Sequence, residues 1–245
     1  MDNVLKCLNA YVRQRELEKI IPELDRNLRE GKSRLREAQL TLAQAQWELR
    51  KAEKGGFFQK LLGNQEEKIE KAHREYREAQ TAEQKEKQSV QEAANALEKA
   101  TQENAELTGS WETFLAEKQR YLAQGGDREA FAEMTTSVLA EQAVAEIGEC
   151  LADLEEALPW MRADVRTTRI SPDNRKLEFL GYAREHASIT LTLLQQLPEG
   201  SVDIPGYLRN PDGFIMGVAM AYKQLDRMEL AQTQLRELRN QLRQL

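Results

Sequence analysis

Apolar residues recur in steps of three and four over most of residues 17–107. Steps of this kind place the residues on one side of a helix and are typical of a coiled-coil seam. The first row consists of Leu17, Ile21, Leu24, Leu28, Gly31, Leu35, Ala38, Leu42, Ala45, Leu49 and Ala52. The second row consists of Ile69, Ala72, Tyr76, Ala79, Glu83, Glu86, Val90, Ala93, Leu97 and Ala100. The pattern therefore predicts two long helices.

The two rows complement each other when the helices run antiparallel. If the numbers of facing residues sum to 121, seven of ten layers set a large apolar side chain against Ala or Gly, as at Gly31 and Val90. Such pairing keeps the volume of each layer nearly constant and lets the backbones approach closely. We therefore predict an antiparallel coiled-coil hairpin stalk over 17–107, with its tip at 55–63, projecting from a helical bundle formed by 1–16 and 108–245.

Three further helices are expected after the hairpin, which makes the fold all-α. A glycine pair before Asp127 predicts the end of the second arm, and the next helix is expected from about Arg128. Ser171 as N-cap and Pro172 in the first turn predict the start of a fourth helix. The last helix is expected to open near Asp212.

Prolines and leucines add two predictions for the second half of the chain. Five of the six prolines fall between 159 and 211, so the chain is expected to turn its corners there. The fourth helix is predicted to present an apolar face made of Leu177, Leu180, Ala187, Leu191 and Leu194.

Composition supports long helices and limits the classes of partner. Charged residues make up 31% of the chain and aromatic residues 6%, which is typical of extended helical proteins. The net charge of -6 provides no general attraction for nucleic acid, which we therefore do not expect as a partner. Cys7 and Cys150 are isolated thiols, and no apolar stretch reaches bilayer length, so a cytoplasmic protein is expected.

Reactive groups do not converge in this sequence. His73 and His186 are expected to be solvated, and Glu83 and Glu86 on the second row predict a wet layer rather than an acid–base pair. No phosphate-binding, dinucleotide-binding or metal-ligand spacing occurs. We therefore expect no enzyme, cofactor or metal, with an enzyme as the distant alternative. Three arginines at helical spacing could bind an anion or form the solvated flank of a helix: Arg162, Arg166 and Arg169.

Two apolar stripes favour a structural or adaptor role. Leu40 and Trp47 occupy the outermost position of the first coiled-coil helix, where charge is usual. The C-terminal stripe is again heptad-like and consists of Leu235, Leu238, Leu242 and Leu245. A third helix of the same chain, a second copy or another protein would cover these stripes. We therefore expect a non-enzymatic protein, a homo-oligomer or one that docks a partner.

The hairpin tip suggests a second function. Its candidate contact residues are Lys54, Phe57, Phe58, Lys60, Leu61 and Leu62. Between Arg50 and Gly63 four residues are positive and one is negative, and apolar groups with basic charge suit an anionic membrane. Alternatively, the apolar side chains fold down and plug the end of the coil. A peripheral membrane protein of this kind resembles, in architecture, the helical-hairpin membrane-remodelling proteins of bacteria.

Overall fold

The computed structural model describes residues 2–54, 65–170 and 173–245. Within these ranges the protein is all-α, as the sequence predicts, and contains no strand. The helices are α1 (Asp2–Glu53), α2 (Gln65–Glu106), α3 (Ser110–Ala123), α4 (Arg128–Thr167), α5 (Asn174–Leu194), α6 (Gly206–Arg209), α7 (Pro211–Ile215) and α8 (Ala221–Leu242).

Contacts divide the chain into two units, which we call the two-helix unit (9–113) and the multi-helix unit (1–8 with 114–245). The predicted stalk spans 17–107, with its boundaries at 16/17 and 107/108. The two-helix unit begins several residues before this range and ends several residues after it. Tyr11 packs on Trp111 with 4.7 Å between ring centroids, and Ser110 donates a hydrogen bond of 2.7 Å to Oε1 of Gln14. These contacts extend the two-helix unit beyond the heptad rows.

In the two-helix unit, α1 lies antiparallel beside α2. Arg13 Nε donates to Glu103 Oε1 at 2.7 Å, and Arg34 Nε donates to Glu86 Oε2 at 3.2 Å. A Cβ placed on Gly31 would lie 3.3 Å from Cγ2 of Val90, a tight contact, so the two residues face each other closely as this layer of the predicted register requires. Every residue of the two predicted rows is buried or half-buried. The coiled-coil register of the remaining layers stays a prediction.

The second arm ends earlier than the glycine pair at 125–126 indicated. α2 stops at Glu106, and Gly109 takes a left-handed conformation with φ 80° before α3 begins at Ser110. The predicted end at the glycine pair is therefore wrong for the second arm and correct only for the separate helix α3, which closes before Gly125. The break between the two helices at Thr108–Gly109 contains no proline. The sequence pattern therefore did not predict that the helix ends there.

The multi-helix unit is built on α4, against which α5 and α8 pack. The Asp127 side chain caps α4 by accepting from the backbone N–H of Glu129 at 2.8 Å. Pro159 lies inside this helix, so the corner expected there is absent. A proline in a helix removes one hydrogen bond, and burial of the surrounding residues Ala157 and Met161 holds the helix continuous.

The starts of two helices differ in how far the structure describes them. α5 begins at Asn174 and is capped by Asp173, which accepts from the N–H of Arg175 at 2.9 Å, while the predicted start residues Ser171 and Pro172 lie outside the described residues. The segment near Asp212 forms only the short α7, and α8 begins at Ala221. At the N-cap position, Asp and Asn side chains accept the same backbone hydrogen bonds as Ser does. A capping residue a few positions further along the chain can therefore set the first residue of the helix.

Candidate functional site

Leu40 and Trp47 form an exposed apolar stripe on the outer face of α1, together with Ala43 between them. Their exposed fractions are 71% for Leu40 and 57% for Trp47, although the neighbouring seam residue Leu49 is buried. Residues three, four and seven apart share one helix face, so the three side chains are contiguous. The structure thus leaves uncovered the outer stripe that the sequence singled out.

Basic residues surround this stripe. The exposed cations of the outer face are Arg36, Arg50, Lys51 and Lys54, and its acids are Glu37 and Glu48; the Glu48 side chain is 46% exposed and lies 4.0 Å from the Lys51 ammonium. The Lys51 ammonium lies 4.7 Å from the centroid of the Trp47 ring, a cation–π distance. Glu53 is paired with His73 of α2 at 3.8 Å. The outer face of α1 therefore combines apolar groups with a positive charge excess.

The predicted tip residues are described only in part. Lys54 directly follows α1 and is exposed. Phe57, Phe58, Lys60, Leu61 and Leu62 lie outside the described residues, so neither membrane contact nor end-plugging is tested for them.

The C-terminal leucine stripe is not an open surface. Leu235, Leu238 and Leu242 are at most 2% exposed, and they lie on the side of α8 that packs within the multi-helix unit against α4. Leu245, beyond the end of α8, is 48% exposed. The prediction that this row binds a second copy is therefore corrected, because the row is already covered by its own chain.

The three candidate anion-binding arginines are all exposed. Arg162 and Arg166 lie on α4, and Arg169 follows its C-terminal cap. Glu155 on the same helix pairs with Arg236 of α8 at 3.0 Å instead of with this row. No buried donor joins the arginines among the described residues, so the arrangement matches the solvated flank of a helix.

His186, which we expected to be solvated, is only 20% exposed. Its Nδ1 lies 2.7 Å from Oε2 of Glu146, which is fully buried on α4, and its Nε2 lies 3.8 Å from Asp153 Oδ2. Gln142 donates to the other oxygen of Glu146 at 2.8 Å. The sequence contained a signal for this cluster, since Glu146 falls between the core residues Ala143 and Ile147 of one helix face.

Two more polar groups in this unit are buried and partnered. Lys176 is fully buried and donates to Asp164 Oδ2 at 2.6 Å, joining the end of α4 to the start of α5. Cys150 donates to the carbonyl of Ala183 at 3.2 Å, and burial raises the pKa of its thiol to about 12. A thiol with such a pKa stays protonated near neutral pH and is a poor nucleophile.

Among the described residues, no group of His, Cys, Asp or Glu has the arrangement of a metal site. None of the described helices has an apolar run of the length needed to cross a bilayer. The exposed face of α1 is thus the candidate site for which the geometry provides the most support. Compared with known proteins, the chain matches no family model, and no curated sequence and no solved structure is significantly similar to it.

Proposed function

We propose that this chain is a non-enzymatic adaptor that docks an acidic amphipathic helix of another protein on the outer face of α1. The observation that supports the proposal most is the exposure of Trp47 and Leu40 on one face, at 57% and 71%. Tryptophan in a small apolar patch is the residue type that most often dominates protein–protein binding. Burying each of these side chains contributes about 1.5–3 kcal/mol before the cost of association.

The charged residues on the outer face of α1 indicate what kind of partner helix would bind there. The outer face carries four exposed cations against the two acids Glu37 and Glu48, so a partner helix with acidic residues beside its apolar row is complementary. Two antiparallel copies that pair Leu40 with Trp47 would bring Arg36 of one copy beside Lys51 of the other, which repel, and Glu37 beside Arg50, which attract. Charge therefore does not exclude a second copy, and the crosslinking experiment below includes self-association as an outcome.

Site-specific photo-crosslinking tests this proposal in the native cell. A benzophenone amino acid placed at Ala43, between Leu40 and Trp47, should form an adduct with one partner protein. The same group at Gln80, an exposed position of α2, is the matched control and should not. The Leu40→Glu, Trp47→Glu double variant should abolish the adduct.

The outcomes separate the candidate functions. A crosslinked partner segment that is helical and acidic supports the proposal. An adduct of twice the chain mass would instead indicate self-association, and equal adducts from both positions would refute docking on this face.

A second candidate function is contact with an anionic membrane through the tip. The observation in its favour is the exposure of Arg50, Lys51 and Lys54 at the end of α1, directly before the apolar segment Phe57–Leu62. Each basic residue near an anionic bilayer contributes about 1 kcal/mol, and this attraction is screened by salt.

Vesicle flotation tests the membrane candidate. The wild type should float with phosphatidylserine vesicles at low salt and not with phosphatidylcholine vesicles. Phe57→Asp with Phe58→Asp should abolish flotation, whereas Gln80→Asp with Gln84→Asp adds the same charge to the exposed face of α2 and should not. Equal recovery of the two variants would contradict a role for the tip.

A further inference from the structure

A cavity of about 540 Å³ opens in the multi-helix unit between α3, the start of α4 and the segment that follows α5. Its apolar lining consists of Leu122, Phe131, Ala132, Leu197 and Pro198. Small-molecule sites typically measure about 300–1,000 Å³ and are lined mostly by apolar groups with a few polar ones. The cavity therefore has the size and lining of a ligand site.

Lys118 is the principal polar group of this cavity. Its ammonium donates to Oε1 of Gln196 at 2.9 Å and lies 5.2 Å from the centroid of the Phe131 ring. No carboxylate of the described residues lies within 4.0 Å of it, in contrast to the buried Lys176, which is paired with Asp164. Burial lowers the pKa of Lys118, because the cation has lost part of its hydration. The cavity thus holds a half-buried cation without a neutralising anion.

The wall beneath this cation is a cluster of packed aromatic rings. Phe131 is 5% exposed, and its ring packs on Phe114 at 6.5 Å and on Tyr121 at 6.1 Å between centroids. The face that Phe131 presents to Lys118 is therefore present without a ligand. A pre-formed site loses less conformational entropy on binding.

From this geometry we propose that the cavity binds an amphipathic monocarboxylate, with the carboxylate on Lys118 and the hydrocarbon body on the Phe131 and Leu197 wall. A carboxylate restores the charge balance of Lys118 and forms a charge-assisted hydrogen bond with it. The apolar lining accepts a hydrocarbon body and would leave the further charge of a phosphate unsolvated. Arg128 is a second cation of the lining, but the exposed acids Glu129 and Glu199 line the cavity as well and offset its charge, so a second negative charge is not favoured. This site is independent of the docking face of α1.

Titration calorimetry of the full chain with octanoate tests the proposal. Octanoate should bind saturably, whereas 1-octanol, which has no charge, and acetate, which has no apolar body, should bind at least about tenfold more weakly, in line with the strength of hydrogen bonds to charged groups. Lys118→Gln should weaken octanoate binding by a similar factor. Lys85→Gln, on the exposed face of α2, is the matched control and should bind as the wild type does.

A second variant locates the bound molecule. Ala132→Phe fills the cavity without altering Lys118, and it should abolish octanoate binding while a thermal melt shows that the chain is folded. The proposal is overturned if the wild type shows no saturable binding at millimolar octanoate. It is equally overturned if either Lys118→Gln or Ala132→Phe leaves the affinity unchanged.

Discussion

At the scale of single residues, the multi-helix unit keeps several ionisable groups away from water and gives most of them a partner. Glu146 is contacted by His186 and Gln142, and Lys176 by Asp164. A buried charge without a partner costs several kcal/mol, and breaking a buried pair costs about 3–5 kcal/mol. These contacts therefore specify how α4 and α5 face each other.

Asp153 is the residue whose ionisation should make stability depend on pH. Its pKa is raised from 3.8 to about 6, mainly by burial and further by Glu149, Glu156 and Glu185, against the opposing effect of His186. Since the folded state binds this proton more tightly than the unfolded chain does, stability falls as pH rises from 3.8 to about 6. Asp153→Asn removes that loss.

Thermal melts across this range provide the measurement. The melting temperature of Asp153→Asn minus that of the wild type should be small near pH 3.8, increase through pH 6 and then level off. Asp203→Asn, which removes one exposed negative charge, is the control. A difference that does not change with pH would show that Asp153 is not responsible.

At the scale of helices, the predicted register of the two-helix unit sets small residues opposite large ones. Gly31 opposite Val90 is the layer whose close approach is directly visible. Replacing Gly31 with a large side chain would overpack this layer, a change that typically costs about 1–3 kcal/mol. A small residue is therefore favoured at position 31.

Disulfide formation provides a test of the predicted register at a layer nearer the tip. In a background of Cys7→Ser and Cys150→Ala, Ala45→Cys with Tyr76→Cys should form an intramolecular bond, because the numbers sum to 121. Ala45→Cys with Ala93→Cys is the control, since a shift of 17 residues moves the second cysteine about 25 Å along the helix. Bridging requires a Cα separation below about 7 Å, so a bond in the control pair alone would exclude the register.

At the scale of the whole molecule, the two apolar stripes found in the sequence have different roles. The Leu40 and Trp47 stripe is exposed, whereas Leu235 and its heptad neighbours belong to the core of the multi-helix unit. Substitution with a charged residue should therefore affect the two stripes in opposite ways, which separates a binding surface from a core.

Denaturant unfolding should reveal this difference. Leu40→Glu with Trp47→Glu should change the free energy of unfolding by no more than about 0.5 kcal/mol per site, as for most surface substitutions. Leu235→Asp buries a charge and should cost more than about 4 kcal/mol, among the largest effects of single substitutions. A stable Leu235→Asp protein that merely changes from dimer to monomer in light scattering would restore the oligomer interpretation.

Periodicity by itself determined the all-α fold and the buried faces of α1 and α2. The heptad signal repeats over ten layers, so a local irregularity such as Pro22 does not interrupt it, and α1 continues through that residue. In the shorter α5 the same reasoning was correct only in part. Ala187 and Leu194 of the predicted face are buried, whereas Leu177 is 45% exposed, and the buried face also includes Lys176, Ala183 and Thr190.

Tertiary packing decided what covers each face. A helical pattern specifies which residues avoid water, but it contains no information on whether a second copy or the same chain shields them. Leu235 and Leu242 are covered from within, Leu40 and Trp47 are not, and the signal was equally strong for both rows. Burial of Lys176 and Glu146 likewise depends on Asp164 and His186, each of which lies on the neighbouring helix. A charged residue enters a core only when the fold brings it a partner, and that pairing exists only in three dimensions.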